Sequence, residues 1–344
     1  MLNVIKWYNN IEIQSYNAIF NFIIAIRNNG KTTSFKIRSL RRFLKRGKKT
    51  IWVRRFTKEI KQTKKSFYTD KILKLCKVDK SCIYIKGNYV YYKDDKINDW
   101  FIQFVPLSSQ QDEKSNEDEN VDTMVYDEFT ATQSRLKRYR GNEVNDFLDL
   151  WYSKKRWHRV YCYFIGNKEQ ITSPYFNYFN IDIPEDFEGF KTFKDGTIVV
   201  HQINNINEIK KQQQNDFNDK VDTLLSGTAY AGYLFNGDYK NINKSLIKKT
   251  PSRAYMYRCF NVNGVELSLY RLDSNIYVKR GIDKNKQVLS LEPLKQYKNN
   301  YVLHHQDIKY MEDLRTAYKF NSLFYNDATA QEAFADVLKL FNLI

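Results

Sequence analysis

Cysteine is scarce, with four in 344 residues. Cys76, Cys82, Cys162 and Cys259 form no C-x-x-C pair, and no histidine stands near them at zinc-site spacing. This excludes a zinc ribbon and offers no disulfide framework, so the thiols are expected to be buried and reduced, as in a cytosolic protein. Apolar runs of about 18 residues are also missing, and no membrane span is expected. The first residues, Met1 to Trp7, are interrupted by Lys6 and too short in apolar character for a signal peptide. Histidine is equally scarce, with four, and the adjacent His304 and His305 read as structural residues pointing apart in a strand.

Basic and aromatic residues are abundant. Fifty-six Lys and Arg against 39 Asp and Glu give a formal charge of +17, and such an excess points to a polyanionic partner, usually nucleic acid. With 26 Tyr and 23 Phe the cores are expected to be aromatic-rich, and the length suffices for two domains.

The organising stretch is the apolar run Ala18 to Ile24, followed by Ala25-Ile-Arg-Asn-Asn-Gly-Lys-Thr32 and a helix-compatible segment. Strand, turn and helix in that order have the layout of a phosphate-binding loop, in which backbone N–H groups at the helix start would cradle phosphates, Lys31 reach the terminal phosphates and Thr32 ligate Mg²⁺, although Gly-Lys-Thr also occurs by chance in loops. Arg27, Asn28, Asn29, Gly30 and Thr33 complete the candidate nucleotide loop. Ala25 stands where the usual G-x-x-x-x-G-K-[ST] pattern has its first glycine. About a hundred residues later, Thr123-Met-Val-Tyr-Asp-Glu128 is a short apolar strand ending in two acids. Asp127 is placed to hold Mg²⁺ and Glu128 to polarise the attacking water. Strand ends running into turns also carry Asp and Glu for no catalytic reason, but the two motifs in this order favour nucleotide hydrolysis.

Phe35, Ile37, Leu40, Phe43 and Leu44 follow helical spacing up to a stop at Gly47, with Lys36, Arg38, Arg41, Arg42 and Lys45 expected on a solvated face. Thr50 to Arg55 reads as the next strand of a parallel sheet. Cys82 to Tyr92 reads as a hairpin about Gly87-Asn88, and Trp100 to Val105 as another strand. Residues 112 to 122 form an acidic loop in which Lys114 is the lone base. Arg135, Lys137, Arg138 and Arg140 crowd the stretch after Glu128, where a DNA-gripping loop and an ordinary solvated loop are equally good readings. Glu143 to Ser153 has helical spacing, and Val160 to Ile165 is a strand ending in Gly166-Asn167. Asn167 is placed to sense a γ-phosphate, or simply makes the turn. Residues 202–228, rich in Asn, Gln and Lys, are expected to be a partly helical linker between domains at 1–201 and 229–344. In the second domain, strands at Ala254 to Val262 and Val265 to Leu272 flank an Asn263-Gly264 turn, with Asn275 to Arg280 and Gln287 to Leu291 extending the hairpin. Asp307 to Phe320 and Ala330 to Leu343 read as helices.

Several stretches taken together resemble the double-stranded DNA packaging ATPases of small tailed phages, the phi29-type motor. They are Phe22-Ile-Ile-Ala-Ile-Arg-Asn-Asn-Gly-Lys31, Ile51-Trp-Val-Arg-Arg-Phe56, Glu113-Lys-Ser-Asn116, Val125-Tyr-Asp-Glu-Phe129, Asn142-Glu-Val144, Pro174-Tyr-Phe176 and Gln296-Tyr-Lys-Asn-Asn-Tyr301. The resemblance implies an α/β P-loop NTPase domain of the additional-strand, catalytic-glutamate class, followed by a small α+β domain of RNase H-like fold. It implies ATP and Mg²⁺ as cofactors and a homopentameric ring acting at the portal vertex of a procapsid on double-stranded DNA. Some members also use a structural packaging RNA, and the sequence assigns none to this chain. Matching positions make Lys31 and Thr32 phosphate and Mg²⁺ ligands, Asp127 the Mg²⁺ acid and Glu128 the catalytic base. The family's trans-acting arginine finger falls in Lys155-Arg156-Trp157-His158-Arg159, with Arg156 the choice and Arg159 the alternative, and Lys114 a second trans-acting base. The presumptive first strand of the second domain, Ala254 to Phe260, has no carboxylate, so a nuclease-dead domain is expected. A helicase-like or terminase-like ATPase and a non-hydrolysing nucleotide- and DNA-binding scaffold are the alternatives.

Overall fold

The computed structural model describes residues 8–27, 29–109, 119–131, 139, 140, 142–156, 158–168, 173–203, 224, 242–283 and 285–344. The contacts divide these residues into two compact units.

The first unit begins with α1 (Asn10–Ser15), a helical turn where only a polar lead-in was expected, then β1 (Phe20–Ala25) and α2 (Lys31–Arg46). β2 (Lys49–Arg54), α3 (Thr57–Lys65) and α4 (Asp70–Cys76) follow, then β3 (Ile83–Lys86), β4 (Tyr89–Lys93) and β5 (Asn98–Pro106). The unit is completed by β6 (Val121–Asp127), α5 (Glu143–Lys155), β7 (Tyr161–Asn167), β8 (Gly189–Phe193) and β9 (Ile198–Ile203). Its nine strands run in the order β3-β4-β5-β2-β6-β7-β1-β9-β8. β5, β2, β6, β7, β1 and β9 are mutually parallel, while β3, β4 and β8 are antiparallel additions at the two edges. Every residue of β1 is buried, as expected of a central parallel strand covered on both faces. Gly47, with φ 64°, ends α2 in the left-handed conformation that a residue without Cβ adopts freely, and its N–H closes on Phe43 O at 2.7 Å.

The basic residues of α2 are not all solvated. Arg38 is buried against the sheet, where its Nη1 donates to Thr123 Oγ1 at 3.0 Å and its guanidinium lies over the Tyr163 ring. A guanidinium can cross an apolar face in this way when an aromatic ring and a hydroxyl receive it.

The second unit holds α6 (Pro174–Phe179), then β10 (Tyr255–Val262), β11 (Val265–Leu272), β12 (Asn275–Arg280), β13 (Val288–Ser290) and β14 (Asn300–Val302). α7 (Glu312–Lys319), β15 (Leu323–Tyr325) and α8 (Ala328–Leu340) complete it. The sheet order is β14-β13-β10-β11-β12-β15. β10, β11 and β12 are an antiparallel meander, and β13 does not extend it: β13 pairs in parallel with β10, on the opposite side from β11. Phe334 and Val337 of α8 and Leu314 of α7 close the core.

Three expectations are corrected. Gln202 and Ile203 do not open a linker; they finish β9, paired with Ile24 and Ala25, because the buried pattern of Ile198–Ile203 continues to its end. Residues 173–185, expected inside the first domain, pack in the second unit. There Asn177 Nδ2 donates to Asn263 O at 2.5 Å and Arg280 Nη1 donates to both Asp182 oxygens at 3.1 Å. The remainder of the expected linker, apart from Leu224, lies outside the described residues. Finally, His304 and His305 are not in a strand. His305 opens a 3-10 turn to Tyr310, and Asp307 Oδ2 accepts from the His304 N–H at 2.7 Å, a local carboxylate cap that competes with extended backbone.

Candidate nucleotide site

Parallel strands bring their carboxyl ends to one edge of the sheet, the edge where such sheets bind ligands. The register sets Ala25 of β1 beside Asn167 of β7, and Ile165 of β7 beside Asp127 of β6. β7 therefore lies between the strand that feeds the phosphate loop and the strand that carries the acids.

Gly30 caps α2 with φ 79°, a left-handed conformation, and its carbonyl accepts from Ser34 N at 2.9 Å. That turn aims the first N–H groups of α2 away from the helix, the arrangement that receives anions. Ala25 is fully buried as the last residue of β1 and is not among the left-handed positions, so the alanine meets no conformational demand for glycine. Lys31 is buried, and its Nζ donates to Ile26 O at 2.9 Å, Ala25 O at 3.3 Å and Asn167 Oδ1 at 3.3 Å. Burial pushes its ammonium down to about 7, with Asp127 opposing the shift and Arg27 adding to it. Thr32 Oγ1 donates to Asp127 Oδ1 at 3.0 Å. Among the other loop residues Arg27 is exposed, Asn29 is buried and its carbonyl accepts from Tyr8 N at 3.1 Å, and Thr33 is half-buried. Asn28 lies outside the described residues.

The acids are held by two arginines that sequence reasoning passed over. Arg54, at the end of β2, places Nη2 3.1 Å from Asp127 Oδ2 and Nη1 2.8 Å from Glu128 Oε2. The Asp127 contact is an ion pair without hydrogen-bond geometry, so Oδ2 is a buried carboxylate oxygen with no hydrogen bond. Thr32 and Asp127 thus juxtapose a hydroxyl and a carboxylate, the oxygen donors that Mg²⁺ takes together with substrate phosphates and water. The donor set fits that ion. Glu128 has φ 61°, a strained value for a residue with a side chain, and its carboxylate is half-exposed.

Arg55 supports that strained backbone from behind. Its Nη2 donates to Phe129 O at 2.7 Å and its Nη1 to Glu128 O at 3.4 Å. Its Nε and Nη2 also reach the two oxygens of Glu143, at 2.7 and 3.0 Å. Glu143 is buried and accepts the Tyr126 hydroxyl at 2.7 Å and Arg140 N at 3.0 Å. A buried ion pair is tolerable when the remaining lone pairs are satisfied in this way. Phe129 packs at ring-centroid distances of 5.5 Å from Phe22 and 5.8 Å from Phe164, anchoring the far side of the same turn.

Asn167 is tied to this turn. Thr130 Oγ1 donates to Asn167 O at 3.0 Å and accepts from Asn167 N at 3.1 Å. The approach is so close that a Cβ at Gly166 would fall 2.7 Å from Thr130 Oγ1 and 2.8 Å from Phe129. The side chain that touches Lys31 and the loop that carries Glu128 are therefore mechanically joined.

Arg156 and Arg159 lie elsewhere. Arg156 caps the end of α5 with φ 21° and is exposed, and Arg159 lies over the Tyr161 ring, donating to its hydroxyl at 3.2 Å. Both precede the first residue of β7, about 20 Å along the strand from Asn167. Neither belongs to its own chain's phosphate site. Arg140, expected to grip DNA, donates to Asp146 at 3.2 Å. Arg135, Lys137, Arg138 and Lys114 lie outside the described residues.

Residues 2–339 match the profile of a family described as Podovirus DNA encapsidation protein (Gp16). The DNA packaging protein of Bacillus phage phi29 is 29% identical over 311 residues, covering 86% of this chain and 89% of that protein. That of Bacillus phage B103 is 27% identical over 301 residues, covering 83% and 88%. Among solved structures, the bacteriophage Phi-29 viral genome packaging motor assembly has the same fold, with a TM-score of 0.73 at 23% identity over 97% of this chain and 99% of that one. The crystal structure of the N-terminal domain of the DNA packaging ATPase from bacteriophage phi29 matches with a TM-score of 0.50 and 30% identity, over 57% of this chain and 95% of that one.

Proposed function

The chain belongs to the podovirus DNA encapsidation protein family and is a genome-packaging motor protein; from that premise we propose that it hydrolyses ATP to drive double-stranded DNA into a preformed capsid. The observation that carries this reading is the convergence of Lys31, Thr32, Asp127, Glu128 and Asn167 at one sheet edge. Lys31 and the α2 amino terminus bind the phosphates, with Arg27, Asn28, Asn29, Gly30 and Thr33 forming the loop. Thr32 and Asp127 would hold Mg²⁺, which would neutralise charge on the transferred phosphoryl group. Glu128 orients the attacking water, with Arg54 setting where its carboxylate points. Asn167 relays the state of the phosphates through Thr130 to the Glu128 turn. The placement of β7 between β1 and β6 supports the additional-strand, catalytic-glutamate class.

Arg156, with Arg159 the alternative, acts on the neighbour's nucleotide in a homopentameric ring at the portal vertex, in the host cytoplasm. Its distance from its own phosphate loop supports action in trans, and Lys114 is assigned beside it. Arg135, Lys137 and Arg138 are assigned to the DNA backbone, with Arg140 bracing that stretch on α5. The second unit, with an antiparallel meander continued by parallel strands on the side of β10, supports the RNase H-like reading. β10, the first strand of this unit, carries no carboxylate, and on that ground the domain is assigned no nuclease activity. No described helix is long and apolar enough to cross a membrane.

The test is steady-state ATP hydrolysis by the full chain, with and without long duplex DNA, beside Glu128→Gln. Hydrolysis raised by DNA and abolished by the substitution supports the proposal. ATP binding without turnover, even with portal-bearing capsids added, refutes it in favour of a non-hydrolysing scaffold.

A further inference from the structure

The chain's charge is unevenly placed. Residues 41–99 carry 19 Lys and Arg against six Asp and Glu, so +13 of the +17 lies in this stretch. It includes α3, α4 and the β3–β4 hairpin at the sheet edge, none of which contributes a side chain to the nucleotide site. Many of its cations are exposed, among them Lys61, Lys71, Lys86 and Lys93.

The hairpin sets aromatic rings among these cations. Strand alternation puts Tyr84 and Lys86 of β3 on one face with Tyr89, Tyr91 and Lys93 of β4. The register pairs Tyr84 with Tyr91 and Tyr91 with Trp100, so three aromatic residues stand side by side across three strands. Tyr84 and Tyr91 stack at 4.9 Å with their planes 8° apart, and Tyr89 meets Trp100 edge-on at 5.3 Å. Lys49 Nζ lies 4.4 Å from the Trp100 ring centre. The opposite face of the hairpin and β5 is the core face, where Val90, Tyr92, Phe101 and Ile102 are buried with Phe43 and Phe67. Tyr84 is 37% exposed at the outer end of the ladder. Among the described residues this aromatic row, flanked by lysines, lies outside the core cluster.

We propose that the outer face of the β3–β4–β5 edge, with Tyr84, Tyr91, Trp100, Lys86 and Lys93, binds single-stranded DNA by base stacking and phosphate contact. The charge selects a polyanion, and a row of rings of which Tyr84 is exposed and Tyr91 and Trp100 half-buried selects unpaired bases, because a duplex keeps its base faces stacked inside and offers only edges and backbone. The face has little to read a ribose 2′-hydroxyl with: Asn98 Oδ1 already accepts the Tyr84 hydroxyl at 3.0 Å, and Gln103 Nε2 already donates to Tyr89 at 3.1 Å. Lysines beside so short an edge strand also disfavour strand addition by a second copy. This inference goes beyond packaging of duplex DNA and does not depend on nucleotide hydrolysis.

The test uses the full chain and a fluorescein-labelled thymidine oligonucleotide of about 12 nucleotides, within the span of known single-strand sites. Anisotropy is read beside a duplex of equal length and a uridine oligonucleotide. Tyr84→Ala and Tyr91→Ala are each expected to weaken thymidine-oligonucleotide binding by about 5- to 150-fold and to leave duplex binding and ATP hydrolysis unchanged. Lys86→Ala with Lys93→Ala should weaken it and flatten its salt dependence. A 5-iododeoxyuridine oligonucleotide should photocrosslink within residues 83–100 of the unaltered protein, a readout independent of how the variants fold. Equal loss of single-strand and duplex binding, a preference for uridine, crosslinks only elsewhere, or a change in self-association without a change in oligonucleotide binding would each overturn the proposal.

Discussion

Both sheets join parallel strands to an antiparallel hairpin, yet they treat their carboxylates differently. In the first sheet Asp127 and Glu128 sit at adjacent positions on one edge, share Arg54, and leave Asp127 Oδ2 without a hydrogen bond. In the second unit the acids are spread over separate elements and contacts, with Arg280 meeting both Asp182 and Asp327 at the surface. Glu266 accepts from Tyr297, Asp307 from Tyr301 and the His304 N–H, Asp313 from Arg258, and Asp327 from Arg280. Adjacent acids beside a phosphate-type loop make a site for a metal and phosphates; acids dispersed over separate hydrogen bonds hold a fold together, even where one oxygen, as at Glu332, is buried without a hydrogen bond. The difference explains how one chain can carry two α/β units with chemistry concentrated in one.

The sharpest way to break this contrast is at Arg156, outside both cores. In assembled motors Arg156→Ala should lower hydrolysis by about 10³–10⁵-fold while thermal unfolding of the isolated chain is unchanged. Wild-type turnover in the assembled substituted motor would remove the residue from the chemistry. Next comes the buried pair behind the Glu128 turn. Glu143→Ala leaves the Arg55 guanidinium uncompensated and should destabilise the first unit by about 3–5 kcal/mol in denaturant unfolding. The corresponding pair of the second sheet, Arg258 with Asp313, is only half-buried, and Arg258→Ala should cost about 1–3 kcal/mol and leave hydrolysis intact. Finer still is a protonic signature. Because burial holds Lys31 down to about 7, it is largely neutral at pH 8 in the nucleotide-free chain and becomes charged when phosphates arrive. ATP binding at pH 8 should take up close to one proton, and affinity should fall as pH rises above 7. Calorimetry in buffers of different ionisation enthalpy measures this, and a zero uptake contradicts it. Lys36, pushed down to about 8 chiefly by burial, titrates nearby, so persistence of the uptake in Lys36→Gln assigns it to Lys31.

Much of the site was legible because its chemistry is local. Gly30-Lys31-Thr32 after an apolar run, and Asp127-Glu128 at a strand end, each contain their own strand, turn and ligand residues. Arg54 and Arg55 were missed because their partners come from β6 and α5, and nothing in residues 50–55 says that β2 will lie beside β6. A cue existed in two adjacent arginines ending a buried strand, since such charges need partners. The same limit explains β13: its apolar residues announce a strand, while its parallel pairing with β10 is a tertiary choice. Arg38 looked solvated because helical spacing gives the face of a residue but not the reach of a long side chain, which here bends back to Thr123 and Tyr163.

In the proposed ring Glu128 acts on its own chain's nucleotide and Arg156 on a neighbour's. Mixing Glu128→Gln and Arg156→Ala subunits on portal-bearing capsids tests it most directly. Each variant alone should be inactive, and the mixture should recover hydrolysis, because some interfaces then join an intact Glu128 to an intact Arg156 from the adjacent subunit. A mixture as inactive as its components would contradict the account.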